Sequence, residues 1–282
     1  MSTRSLFASD LHGRVDRYLK LLAAVASERP SLVFLGGDLL PFAPGRRHGE
    51  FLLDWLAPRL VALRSRLQQA YPRVLAIFGN DDPRSEEPSL AALQTQGLLE
   101  HAHARRIELG AFTAYGYACV PPTPFGLKDW ERYDVSRFVD PGSVSPEEGQ
   151  RTVPVDENDV RWGTIAADLE RLAGSDDLAR AVWLFHAPPY AGALDRAALD
   201  GRSVDHVPLD VNVGSIAIRR FIEARQPLVT LHGHVHESAR LTGRWSDRIG
   251  RTLCLSAAHD GPELALVAFD LEAPAAVTRR LL

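Results

Sequence analysis

A chain of 282 residues, 45% apolar and 24% charged, has the make-up of a folded globular protein near the upper size for a single core. Its formal net charge of -4, from 32 basic and 36 acidic side chains, weighs against a protein that mainly grips nucleic acid, although a local basic patch stays open. Cys119 and Cys254 are the only cysteines and have no paired spacing, which argues against a disulfide scaffold or a thiolate metal site and fits a reducing compartment. No apolar stretch is long enough to span a bilayer, and the first apolar run is too short for a signal peptide, so a cytoplasmic location is expected.

The first predicted strand, Leu6 to Ser9, runs into "SDLHG", which places Asp10 and His12 two residues apart. Alternation along a strand would put both side chains on one face, a metal-ligand geometry if partners exist elsewhere; alone, the triplet reads as a strand end entering a polar loop. "RVDRYLKLLAAVASERP" has helical spacing and stops at Pro30, and "SLVFLGGD" is a buried strand ending at Asp38. A second helical stretch from about Gly49 to Ala70 is interrupted or kinked by Pro58, and "RVLAIFGNDD" is a third buried strand ending at Asn80. Continuous apolar strands separated by helices predict a parallel sheet covered on both faces, with ligands gathered at the strand ends that carry Asp10, His12, Asp38 and Asn80. Taken singly, Asp38 reads better as a helix N-cap and Asn80 as a turn residue, but neither reading explains why all three strands end the same way.

The second half supplies nitrogen ligands. "AVWLFHAPPY" predicts a strand ending at His186, and "LVTLHGHVHES" another ending in His232, His234 and His236. His234 and His236, flanked by Gly233 and Val235, can bring two imidazoles to one point; His232 reads as a bystander, and His48, His101, His103, His206 and His259 belong to no motif.

The ordered set "SDLHG", "GGD", "GND", "HAPP" and "HGHVH", spread over residues 9 to 236, resembles the calcineurin-like metallophosphoesterase superfamily. "PPTPFGLKDWERYD", "DVNVGSIAIRRFIE", "HAPPY" and "GHVHE" are similar, within it, to the bacterial Icc-related predicted phosphoesterases. The resemblance implies an α/β fold, a four-layer α/β/β/α sandwich of two mixed β-sheets, in one domain over residues 1–282. "ESARLTG", "RTLCLSAA", "ELALVAFDL" and "AAVTRRLL" then read as strands completing the second sheet. The Pro-, Gly- and charge-rich stretch from about Tyr115 to Asn158 is too long for a passive connection and reads as a substrate-facing loop or cap.

Carried over residue by residue, the resemblance implies two divalent ions. Asp10, His12, Asp38 and His236 would hold one, and Asp38, Asn80, His186 and His234 the other, with Asp38 bridging. Carboxylate and amide oxygens mixed with imidazoles suit manganese, iron or zinc better than calcium. Two such ions about 3.5–4 Å apart bind a phosphate and activate a bridging hydroxide for in-line attack, so no protein nucleophile is needed. Asn80, Asp81, Asp82 and His234 are the residues expected to act in catalysis. The family commonly has G-N-H-D or G-N-H-E where this chain reads "FGNDDP", so Asp81 stands in place of a histidine that meets the phosphoryl group. A carboxylate there repels a dianionic monoester more than a monoanionic diester, which favours diesters; the competing reading makes Asp81 a turn residue before Pro83.

Lys128, Trp130 and Arg132 in "GLKDWER" are candidate contacts for a nucleotide, against the alternative of a solvated loop with Trp130 packed beneath it. Gly214-Ser215 reads as a helix N-cap first and an anion contact second. The reading carried forward is a dinuclear metal-dependent phosphodiesterase acting on a small or nucleotide-like substrate; the alternatives are a nuclease of the same superfamily, which the acidic balance disfavours, and a non-catalytic scaffold.

Overall fold

The computed structural model describes residues 3–41 and 50–282. Its strands, in chain order, are β1 (Arg4–Ala8), β2 (Leu32–Gly36), β3 (Arg73–Ile77), β4 (Glu100–His101), β5 (Arg105–Leu109), β6 (Phe112–Tyr117), β7 (Ala181–Phe185), the short pair β8 (Ser203–Val204) and β9 (Val207–Pro208), β10 (Val229–His232), β11 (Ser246–Ile249), β12 (Thr252–Ser256), β13 (Ala265–Asp270) and β14 (Thr278–Leu281). Two six-stranded sheets result, ordered β14-β13-β1-β2-β3-β4 and β11-β12-β10-β7-β6-β5. Both are mixed: β1, β2 and β3 run parallel with β13 antiparallel to β1, and β6, β7, β10 and β12 run parallel between antiparallel β5 and β11.

The central strands are apolar at nearly every position because both of their faces are covered. Helix α1 (Val15–Glu28) turns Tyr18, Leu21 and Val25 onto Val33 and Leu35 of β2, beside Leu56, Leu60 and Leu63 from α2 (Ala57–Leu67) and the turn before it. On the other sheet, Trp183 of β7 stacks on Tyr115 of β6 and meets Phe221 edge-on, with ring centroids 4.5 and 4.6 Å apart. Phe221 belongs to the helix Ile216–Arg225 outside that sheet. The inner faces meet where β2 lies against β7 and β3 against β6, so the layers run α/β/β/α around one continuous apolar core.

Several expectations need correction. "ESARLTG" is not a strand: Ser238–Thr242 is a short helix closed by Gly243 in a left-handed conformation. The tail strands are shared between the sheets, β12 pairing with β10 while β13 pairs antiparallel with β1. Alternating apolar residues mark a strand but not the sheet edge it joins. The irregular insertion begins after Tyr117, because Tyr115, Gly116 and Tyr117 are paired with Trp183, Leu184 and Phe185 in the core. The expected second helix keeps a helical path but changes type, with a wide turn at Phe51–Leu56, then α2 with Pro58 in its first turn, where the missing N–H costs least. Gly49, its expected start, and His48 lie outside the described residues.

Residues 118–156 contain no helix or regular strand and are held by buried polar anchors. Lys128 and Glu131 have fully buried side chains 2.5 Å apart. Lys128 Nζ also donates to the Thr123 carbonyl at 2.8 Å, and Glu131 accepts from the Thr123 amide at 2.7 Å. Trp130 is buried against Phe78 and His103, and Arg132 is paired with Asp159 and Asp168. The expectation that Lys128, Trp130 and Arg132 meet substrate is therefore corrected: Lys128 and Arg132 are paired with carboxylates of the protein itself and Trp130 is buried among rings, which fixes the insertion on the core. Lys128→Met leaves Glu131 as a buried charge without its partner, so unfolding free energy in urea should fall by about 3–5 kcal/mol. Manganese affinity, read by titration on the folded variant, should stay at the wild-type value.

Candidate metal centre

Strand β1 ends at Ala8, so Asp10 and His12 do not lie on a strand face as the alternation argument supposed. They sit in the following loop at φ 56° and 46°, and Asp38 and His234 share this left-handed conformation at 51° and 71°. Such geometry is uncommon for residues with a Cβ, Asn, Asp and His being the side chains that enter it most readily after glycine, and it persists where surrounding bonds over-determine it. Those bonds are present. The amides of Asp10, His12 and Gly13 donate to the carbonyls of Gly37, Asp38 and Leu39 at 3.0, 2.7 and 2.9 Å, zipping the β1 and β2 loops together.

The seven side chains singled out in the sequence converge at this seam. Ligand atoms of Asp10, His12, Asp38 and His236 all lie within 4.8 Å of one another. His236 Nε2 is 3.4 Å from Asp10 Oδ1 and 3.2 Å from His12 Nε2. Asp38 Oδ2 lies 3.8 Å from His12 Nε2 on one side and 3.3 Å from His186 Nε2 on the other. His186 Nε2 is also 3.1 Å from Asn80 Oδ1, and its Nδ1 sits 2.7 Å from the Gly36 carbonyl, an outer contact that fixes the ring. The His234 ring packs edge-on against His186 at 5.2 Å, and its amide donates to Asp10 Oδ1. Gly79 allows this crowding: a Cβ there would stand 2.6 Å from both His186 Nε2 and the Asp38 amide nitrogen.

Charge explains what the cluster demands. Asp10 and Asp38 are almost wholly buried. Burial pushes both carboxyls upward, but His236 beside Asp10 and His186 beside Asp38 outweigh it and hold them below the ordinary range. The same partners, against the opposing effect of burial, lift His186 to about 10 and His236 to about 9, while burial and the neighbouring His186 depress His234 to about 3. Two buried anions thus draw positive charge into the site. Asp10 Oδ2 is buried with no hydrogen-bond partner, and the donors are carboxylate, amide and imidazole. These residues fit first-row divalent cations.

Asp81 and Asp82, adjacent in sequence, do different work. The Asp81 amide donates to Asp38 Oδ1 at 2.9 Å, while its partly exposed carboxylate lies 3.7 Å from His12 Nδ1 and accepts from Asn80 Nδ2 at 2.9 Å. Burial and the charge of Asp38 raise its pKa. Asp82, expected among the catalytic residues, is corrected to a positioning role. It is fully buried and accepts from the amides of Leu39, Leu40 and Gly79 at 3.0, 2.8 and 2.9 Å, which ties the β2 loop to the β3 loop. Burial and Asp38 push its carboxyl up to about 8 against the pull of those three donors.

Two supporting residues escaped the sequence reading. Arg17 donates to the Asp10 carbonyl at 2.6 Å and to the Gly261 carbonyl at 2.5 Å, a role signalled only by an arginine on the buried face of α1. Asp134 accepts from the amides of Ile216 and Ala217 at 2.6 and 3.1 Å and from Ser215 Oγ, so the helix N-terminus considered for an anion already holds a carboxylate from the insertion. His232 is the bystander expected, buried between the Ala187 carbonyl and Thr230 Oγ1. Asp82→Asn removes one acceptor oxygen from the loop tie. Manganese affinity should drop about 10- to 100-fold by titration, with all seven cluster side chains intact.

A family model for calcineurin-like phosphoesterases matches residues 3–238. No curated protein matches the chain. Among solved structures, one crystal structure is 15% identical at a TM-score of 0.61, covering 100% of this chain and 99% of its own. The crystal structure of TT1561 of Thermus thermophilus is likewise 15% identical, at a TM-score of 0.58 with 100% and 99% covered. At that identity the two structures speak for the shared fold, and the family model speaks for descent: the chain belongs to the calcineurin-like phosphoesterase family.

Proposed function

We propose that this chain is a dinuclear, metal-dependent phosphodiesterase. The observation that carries the reading is the place of Asp38, whose carboxylate faces His12 on one side and His186 on the other and so stands between two donor groups. Asp10, His12 and His236 would complete one site, and Asn80, His186 and His234 the other. Manganese, iron or zinc bound there would neutralise phosphoryl charge and make a water acidic enough to attack at neutral pH.

The protein's own groups supply orientation and selectivity. The His234 ring packs edge-on against His186 and its amide holds Asp10 Oδ1, so the two donor groups are fixed to one another. His12 and His236 are the more exposed members, with 19% and 35% of their side chains accessible, so a phosphoryl group enters from their side. Asp81 lies on that side, beside His12. Its carboxylate adds a negative charge where the phosphoryl oxygens arrive, which penalises a dianionic monoester more than a monoanionic diester.

Manganese-loaded protein should hydrolyse bis-p-nitrophenyl phosphate faster than p-nitrophenyl phosphate. Asp38→Ala should lower diester turnover about 100-fold or more, because both donor groups lose their shared oxygen ligand. Asp81→Asn should shift the diester-to-monoester ratio toward the monoester by about tenfold. A faster monoester reaction whose ratio Asp81→Asn leaves unchanged would reject the diester preference.

A further inference from the structure

Beside the metal centre lies a cavity of about 430 Å³ that the chemistry at phosphorus does not require. His234, Val235 and Glu237 form its inner end. One wall comes from the insertion, at Pro121–Phe125 and Asp134–Ser143, and the other from the segment between β7 and the helix Ile216–Arg225, including Tyr190, Leu209 and Val213. The cavity therefore opens from a cluster histidine into space walled by two largely irregular segments.

Its surface has a definite chemistry. The lining is mainly apolar, and Phe125 and Phe138 are 57% and 69% exposed, a large apolar area for water to cover. Every charged residue lining it, among the described residues, is acidic: Asp134, Asp140, Asp210 and Glu237. Three of these already serve the protein. Asp134 caps the helix, Asp210 accepts from the Tyr190 hydroxyl at 2.6 Å, and Glu237 accepts from the Ala198 amide at 3.0 Å. No lysine or arginine among the described residues lines the cavity to receive a second phosphate or a carboxylate.

We infer that this cavity is the subsite for one ester group of the substrate, and that the group is apolar, of aromatic-ring size or larger, and free of further negative charge. The inference rests on the phosphodiesterase reading and narrows it: the phosphoryl group sits at the metal centre, and the organic group attached to it enters the apolar space past His234. Nucleoside di- and triphosphates and other substrates with a second anion on that group are excluded, because their charge would be desolvated among carboxylates. The volume is within the usual range for small-molecule pockets, so an aromatic ring is accommodated without rebuilding the walls.

The test uses three phosphonate monoesters that present one negative charge at phosphorus, whose P–C bond does not hydrolyse and whose methoxide is a poor leaving group: methyl methylphosphonate, methyl benzylphosphonate and methyl 4-carboxybenzylphosphonate. Binding to manganese-loaded protein is read by calorimetry. The benzyl compound should bind roughly 10- to 100-fold more tightly than the methyl one, and the carboxylate should erase that gain. Leu209→Trp and Val213→Trp, made separately so that one folded variant suffices, should fill the cavity and abolish the benzyl advantage while leaving methyl methylphosphonate affinity unchanged. Equal affinity for all three ligands, or a benzyl advantage that survives both substitutions, overturns the assignment. A preserved benzyl advantage in a protein that turns over no diester supports the subsite and overturns only the phosphodiesterase reading.

Discussion

Two buried carboxylates set the terms for this molecule. Asp10 and Asp38 lie between the sheets with almost no access to water, and an isolated anion in such a place is far too costly to keep. Their compensation comes from across the fold. His186 follows β7 and His236 follows β10, both in the second sheet, whereas Asp10 and Asp38 follow β1 and β2 in the first. The attraction that makes the buried anions tolerable therefore also brings together the carboxyl ends of the two sheets. A cation bound among these groups would take over the same electrostatic task, so metal binding and sheet docking depend on one set of charges.

This constraint accounts for backbone geometry that would otherwise be a liability. Four cluster residues, Asp10, His12, Asp38 and His234, occupy left-handed conformations that a free loop would seldom adopt. The loops are not free. Amides of one pair with carbonyls of the next, Arg17 holds the Asp10 carbonyl, and Asp82 gathers three amides from two loops. Strain at the ligands is offset by hydrogen bonds beneath them, the arrangement expected where side-chain positions must be held closely.

The sequence made the first three strands, their parallel order and the convergence of acidic and histidine residues at strand ends readable, because unbroken apolar runs such as "SLVFLGGD" leave little choice of structure. It misled at "ESARLTG", where five residues of helix carry no period long enough to distinguish them from a strand. The positions of β13 and β14 were also hidden: pairing depends on which edge a distant segment reaches, and a local pattern holds no trace of that. For the site, residue identity was legible but the reason for proximity was not. Asp10 and His12 meet through a left-handed loop rather than strand alternation, and Asp82 looks in sequence like its neighbour Asp81 until its three amide donors are seen.

Lys128, Trp130 and Arg132 show the same limit and lead to a division of labour within the fold. On a loop of polar composition they resemble a recognition motif, yet each is turned inward, and Lys128 and Glu131 grip Thr123, part of the cavity wall. Lys128, Glu131 and Arg132 thus hold the backbone of the insertion in place, while its prolines, Phe125 and Phe138 line the cavity together with Asp134 and Asp140. A loop held in this way, with a mainly apolar inner surface and acidic side chains among it, selects by shape and against anions, and such selection is easily altered without disturbing the buried cluster. The acid and imidazole cluster is tied to sheet docking, whereas most side chains that wall the cavity beside His234 lie outside the apolar core. Specificity among relatives of this fold should therefore vary in the insertion and in the segment after β7, while the seam between the sheets keeps its acids and imidazoles.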